Sequence, residues 1–192
     1  TGTERGIGLL AAANPHPPRG RFIPFRRALG RRTIFNLMGP LANPAGVRRQ
    51  LVGIARPAYV PIYADALARL GSERAMVVSG DEGLDELSLA GGNEVAVVKD
   101  GGFVMQRVAP ADAGLATAPV EAIRGDDAAH NAAALRRLLA GERGAYRDAV
   151  LFNAAGVLIV ADQAAGWRAG LGLAGPANAG GRAGRFGGKW IR

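Results

Sequence analysis

Cysteine is absent from all 192 residues, which excludes disulfides, thiolate metal sites and a cysteine nucleophile. Histidine is nearly absent: only His16 and His130 occur. His130 falls in the Ala-rich stretch "DDAAHNAAAL" and reads as a surface or packing residue. His16 stands between Pro15 and Pro17, where a stiff backbone suits it to line a pocket, with a structural role as the plain alternative. Serine is confined to Ser72, Ser79 and Ser88, none within Gly-x-Ser-x-Gly, so covalent hydrolase chemistry is not expected. No Gly-x-Gly-x-x-Gly follows a strand, and no Walker loop occurs. No run approaches the ~18 apolar residues of a membrane span, and the opening "TGTERGIGLL" lacks the basic-then-apolar order of a signal peptide. The cytoplasm is the expected compartment.

Negative charge is also missing where it would be informative. No acidic residue stands between Glu4 and Asp65, an interval holding ten arginines, and the whole chain carries a formal charge of +8. Arg-rich composition alone accounts for the arginines but not for the missing acids. Such a field attracts phosphate, carboxylate or nucleic acid. With 48% hydrophobic and 21% charged residues, the chain is long enough and apolar enough for a globular core.

Helical patterns are expected over residues 1–13 and over Phe22–Leu29, separated by the proline-rich loop "NPHPPRG". "RQLVGIA" (49–55) and "RAMVVSG" (74–80) read as buried strands. Between them "PAYVPIYADALARLG" (57–71) reads as a helix with Pro57 near its start, Ile62, Ala66 and Leu70 on one face, and Gly71 as its stop. "EVAVVKDGGFVMQRVAP" (94–110) is expected to form a hairpin turning at Asp100-Gly101. A helix over 126–142 is expected to be capped by Asp126 or Asp127, and an almost wholly apolar, buried helix covers 148–164. Strand, helix, strand, hairpin and helices make an α/β domain. From Gly166 the composition shifts: nine glycines, Pro176 and five basic residues without an acid. Each Gly costs about 1 kcal/mol in a helix and an interior Pro about 3, so no stable helix is expected there.

Chemistry concentrates in "GDEGLDELSL" (80–89), which follows a strand and holds Asp81, Glu82, Asp85 and Glu86. Ligands of open α/β sheets bind at the C-terminal ends of strands. Four carboxylates in six residues repel one another unless a cation or arginines intervene. Oxygen ligands in a loop suit Mg²⁺, which takes one or two carboxylates plus substrate phosphates; a solvated acidic turn is the plain alternative. The alternating acidic spacing of an EF-hand is absent.

The stretch "HPPRGRFIPFRRALGRRTIFNLMGPLANP", followed by "QLVGIA", resembles the anthranilate phosphoribosyltransferase family, in which a His-Pro element, an Arg-Arg pair and "RTIFNLLGPLTNP" occur in this order. "LGSERAMVVSGDEGLDELSL" and "GAYRDAVLFNAAGVLIVA" resemble two later family blocks. Three blocks in order cover residue 4 to about 165. The resemblance implies an α/β domain beside a small helical domain, with a phosphoribosyltransferase/nucleoside-phosphorylase-like fold. Residues 1–165 correspond to the C-terminal part of the catalytic domain, its sheet partial and mixed or parallel, and 166–192 form a degenerate Gly-rich basic tail where the family has a helix. The implied reaction transfers a phosphoribosyl group from phosphoribosyl pyrophosphate (PRPP) to the amine of anthranilate, in tryptophan biosynthesis, with Mg²⁺.

Carried over residue by residue, the resemblance assigns the aminobenzoate carboxylate to Arg26. It sets His16, Gly39 and Pro40 beside the aromatic ring, and gives the metal to Asp85 and Glu86. No general base is assigned. On this view Gly39-Pro40 and Asn43-Pro44 interrupt an apolar segment because it shapes a pocket wall, and Asn36 can satisfy backbone groups that the prolines strand. The family's helical, dimer-forming domain, its Gly-Thr-Gly-Gly-Asp loop and its Lys-His-Gly-Asn segment precede the matched region. The chain by itself is therefore expected neither to fold cleanly nor to catalyse. A non-catalytic remnant of the family is the alternative. A basic nucleic-acid module ranks lowest, because the tail lacks repeated Arg-Gly-Gly units and interleaved aromatics.

Overall fold

The computed structural model of the chain describes Gly39, Leu41, Asn43 and residues 45–179. The two helices expected before residue 30 lie outside the described residues. Two compact units are present, Thr1–Val47 and Arg48–Arg192. In the first, Asn43 builds an exposed turn: its Oδ1 accepts from the Ala45 N–H at 2.9 Å, and its carbonyl accepts from the Gly46 N–H at 3.1 Å. An asparagine bonding the backbone two residues on is the usual physics of an Asx turn.

The second unit is built on a mixed sheet of β1 (Arg49–Gly53), β2 (Arg74–Gly80), β3 (Asn93–Lys99) and β4 (Gly102–Val108), in that spatial order. β1 and β2 run parallel through the crossover helix α1 (Val60–Arg69), while β2–β3 and β3–β4 are antiparallel. The hairpin turns where expected. Asp100 and Gly101 have φ of 51° and 75°, the two left-handed residues that a two-residue turn of primed type requires. Further helices are α2 (Pro110–Ala113), α3 (Ala128–Leu139), α4 (Ala145–Val160) and α5 (Trp167–Ala179). Asp127 caps α3, its Oδ1 accepting from the His130 N–H at 2.7 Å, and Gly141 follows with φ of 94°.

β2, one of the two interior strands, is buried on both faces. Met76 and Val78 join Leu87, Leu89, Val95 and Phe152 in a core beneath α4. By strand alternation Ala75, Val77 and Ser79 face the other way, toward the side covered by α1, which packs on β2, β3 and β4. β1 was expected to be buried; as an edge strand among the described residues it is only partly so.

Three expectations change in detail. α1 buries Val60, Tyr63, Ala64 and Leu67, whereas Ile62 and Leu70 are 63% and 65% exposed. The buried set follows i, i+3, i+4, i+7, a full stripe, against the narrow i, i+4, i+8 line of Ile62, Ala66 and Leu70. α4 begins at Ala145 and ends at Val160, and it buries one face only, with Val157 half-exposed. Third, residues 167–179 are helical despite their glycines. Tertiary contact supplies what propensity lacks. A Cβ on Gly170 would stand 2.9 Å from both Cα and Cβ of Ala155, so the missing side chain lets α5 lie directly on α4. Trp167 meets Phe152 edge-on, their ring centroids 5.4 Å apart. Pro176 withholds a donor from the Gly172 carbonyl, but both residues are exposed and water can serve that carbonyl.

Two neighbouring glycines should therefore respond oppositely to the same substitution. Gly170→Ala is expected to destabilise the chain by about 1–3 kcal/mol through overpacking against Ala155. Gly172→Ala, with open space around it, is expected to stabilise by about 0.5–1 kcal/mol. Urea unfolding of the two variants checks this.

Candidate functional site

β2 ends at Gly80 and β3 begins at Asn93, so residues 81–92 form a loop whose neck is closed by the Asp81 N–H donating to the Gly92 carbonyl at 3.1 Å. The loop lies at the C-terminal ends of the parallel pair β1–β2, the expected position. Its second half is driven into the core: Leu87, Ser88 and Leu89 are buried. Two asparagines secure that descent. Asn93 Oδ1 accepts from the Ser88 N–H at 2.7 Å, and its Nδ2 donates to the Ser88 and Val108 carbonyls, each at 3.1 Å. From α4, Asn153 Oδ1 accepts from the Leu87 N–H at 2.9 Å, and its Nδ2 donates to the Leu87 carbonyl at 3.0 Å.

Glycines allow the close approach. A Cβ on Gly53, the last residue of β1, would collide with the Asp85 carbonyl oxygen. A Cβ on Gly80 would stand 2.8 Å from Ser88 Cβ, and one on Gly92 would run into the Arg107 guanidinium. Gly83, with φ of 88°, turns the chain between the two pairs of acids.

The four carboxylates divide into two kinds. Asp81 accepts two bonds from Arg107, at 2.7 and 2.6 Å, and Arg107 also reaches Glu94 at 2.8 Å. The Arg107 hydrogen bond holds the Asp81 carboxyl below its ordinary range. Glu82 accepts a hydrogen bond from the Ser88 hydroxyl. Asp85 and Glu86 are exposed, and no side-chain partner reaches either among the described residues. Nearby protein removes part of the water around Glu86, and Asp85 adjoins it; burial first and repulsion second push its carboxyl above the ordinary 4.5.

Among the described residues no third His, Asp or Glu completes a metal cluster with this pair. Two hard, unneutralised carboxylates are the partial set that Mg²⁺ uses when waters and phosphates fill the remaining positions, so the donors fit that ion. Gly39 lies in a turn with open space where a Cβ would stand. His16, Arg26 and Pro40 lie outside the described residues. Elsewhere, a cleft of about 320 Å³ between Val120–Ile123, α3 and the start of α4 is lined by His130 and by Arg124, Arg137, Arg143 and Arg147. No residue of the 81–92 loop lines it.

The α/β-domain model of the glycosyl transferase family matches residues 2–184. The chain belongs to that family. It is 68% identical over 168 residues to the anthranilate phosphoribosyltransferase of Novosphingobium aromaticivorans, covering 88% of this chain and 51% of that protein. To the anthranilate phosphoribosyltransferase of Erythrobacter litoralis it is 61% identical over 188 residues, 98% of this chain and 57% of the relative. The crystal structure of anthranilate phosphoribosyltransferase from Thermus thermophilus superposes with a TM-score of 0.90 at 39% identity, over 98% of this chain and 56% of that one. The Saccharomyces cerevisiae enzyme in complex with PRPP and Mg gives 0.79 at 27% identity, over 87% and 48%. The chain spans about half the length of the curated relatives it matches.

In this glycosyl transferase domain the metal candidates expected from the motif, Asp85 and Glu86, stand together at the exposed tip of the loop. Sequence reasoning did not find the parts that hold the loop: Gly53, Arg107 and Asn153. Only Asn153 left a signal, as the one polar residue within "AVLFNAAGVLIVA".

The raised Glu86 carboxyl has a definite sign. The folded protein holds that proton more tightly than the unfolded chain, so stability falls as pH rises from 4.5 through the folded value; below that window the penalty is absent. Glu86→Gln is therefore expected to melt at or above the parent's temperature at neutral pH. The advantage should vanish in acid, and thermal melts at several pH values read it directly.

Proposed function

We propose that the whole protein to which this domain belongs transfers the phosphoribosyl group of PRPP to the amine of anthranilate, releasing pyrophosphate in the cytoplasmic synthesis of tryptophan. One observation carries this for the domain itself. Of four clustered acids, Asp81 is ion-paired with Arg107 and Glu82 accepts from the Ser88 hydroxyl, while among the described residues Asp85 and Glu86 have no side-chain partner at the strand ends. The similarity to anthranilate phosphoribosyltransferases, one of them solved with PRPP and Mg, names the substrates that such a pair would serve.

Asp85 and Glu86 would hold Mg²⁺. Bound there, the ion supplies positive charge to the pyrophosphate as it leaves the sugar carbon. Arg26 would take the anthranilate carboxylate through two parallel hydrogen bonds, a geometry that lysine does not reproduce. His16, Gly39 and Pro40 would wall the aromatic ring. With the carboxylate fixed, the amine nitrogen attacks the anomeric carbon as the bond to pyrophosphate breaks, and then loses one proton.

Anthranilate fluorescence gives a direct test on the whole protein. Binding is expected, and Arg26→Ala should weaken it about 10- to 100-fold, the worth of a charge-assisted bidentate pair. Equal binding by parent and variant would remove Arg26 from the acceptor site. Glu86→Gln, which touches only the metal side, should leave this binding unchanged.

A further inference from the structure

We propose that Asn153 is a positioning residue for the Asp85–Glu86 pair, fixing from helix α4 where the two carboxylates stand. The inference rests on the reading that this pair holds Mg²⁺.

Leu87 immediately follows Glu86, and it is fully buried. A buried peptide group needs partners, yet among the described residues no backbone group bonds either the N–H or the carbonyl of Leu87. Asn153 supplies both. Its Oδ1 takes the Leu87 N–H at 2.9 Å, and its Nδ2 meets the Leu87 carbonyl at 3.0 Å. The exchange imitates one rung of an antiparallel ladder, made by a side chain.

The amide is itself held. Nδ2 also donates to the Ala149 carbonyl, one turn back along α4, at 3.0 Å. With one acceptor and both donors engaged, the side chain is fixed in orientation. Asparagine is not favoured inside helices, and this one is surrounded by an apolar sequence, so its place calls for an account beyond helix formation.

On the other side of the pair, the Asp85 carbonyl oxygen occupies the space that a side chain on Gly53 would fill. The backbone is thus held on both sides of the two acids, by β1 at Asp85 and by α4 at Leu87, while among the described residues no side chain bonds their carboxylates. Residues that orient metal ligands without touching the metal typically change affinity about 10- to 100-fold when removed.

Mn²⁺ stands in for Mg²⁺ in the test, because its free-ion paramagnetic resonance signal disappears on binding. The full chain is titrated with Mn²⁺ alone, alongside Asp85→Asn, Glu86→Gln and Asn153→Ala. Hydrogen exchange at the Leu87 amide is followed in parallel. The carboxylate variants should lose Mn²⁺ with Leu87 exchange unchanged. Asn153→Ala should weaken Mn²⁺ binding about tenfold while Leu87 exchange quickens and β2 amides stay protected. Asn153→Gln keeps a donor and an acceptor but moves them outward by one methylene. It should show the same loss of Mn²⁺, and it decides the matter where the alanine variant does not fold.

Asn153 variants that bind Mn²⁺ like the parent, while the carboxylate variants do not, would overturn the positioning role and leave the metal reading standing. Carboxylate variants that bind like the parent would overturn both.

Discussion

How closely the 81–92 loop can approach the sheet decides most of what lies at this end of the domain. The Asp85 carbonyl oxygen fills the place where a Cβ on Gly53 would be, an approach that no side chain permits. With Gly53 at the end of β1 the loop settles, and Leu87 and Leu89 reach the core that Phe152 and Met76 share. Burying those leucines draws their backbone out of water, and the amides of Asn153 and Asn93 meet that need. The exposed acids are then a consequence of the burial next to them. In "DELSL" the chain dives into the core at Leu87, so Asp85 and Glu86 remain at the surface immediately before it.

The electrostatics follow the same division. Asp81 and Glu82 are given protein partners close to the neck, and Arg107 draws Asp81 and Glu94 to one guanidinium. These exposed contacts contribute little to stability individually. Their larger effect is on the charges that remain. Arg107 compensates Asp81 and the Ser88 hydroxyl bonds Glu82, so among the described residues Asp85 and Glu86 are the loop acids without a side-chain partner, and the Glu86 carboxyl is raised by burial and by Asp85. A cation at this point would relieve the repulsion between Asp85 and Glu86.

Local chemistry made parts of this fold legible. Asp100-Gly101 announced a hairpin because few residues other than Gly, Asn and Asp take up left-handed backbone readily, and both do so. Asp127 and Gly141 bounded α3 for equally local reasons. Tertiary contact decided the rest. Two apolar lines run along α1, and only packing on the sheet selects Val60, Tyr63, Ala64 and Leu67 over Ile62 and Leu70. In α5 the glycines were weighed as losses of helix propensity, although Gly170 is the residue that lets the helix lie on Ala155.

The candidate site divides along the same line. Asp85 and Glu86 stood out because acids clustered after a strand are visible in one dimension. Asn153 and Gly53 lie 66 residues after Leu87 and in a different strand from the loop, respectively, and nothing adjacent in sequence marks what they hold. Ligand-bearing side chains must be exposed and chemically distinctive, so they can be read early. The groups that orient them need only the right backbone at the right distance, and an asparagine or a missing Cβ is enough. In this domain the distinctive residues are two exposed acids, while the inconspicuous ones, Gly53 and Asn153, fix the backbone on either side of them.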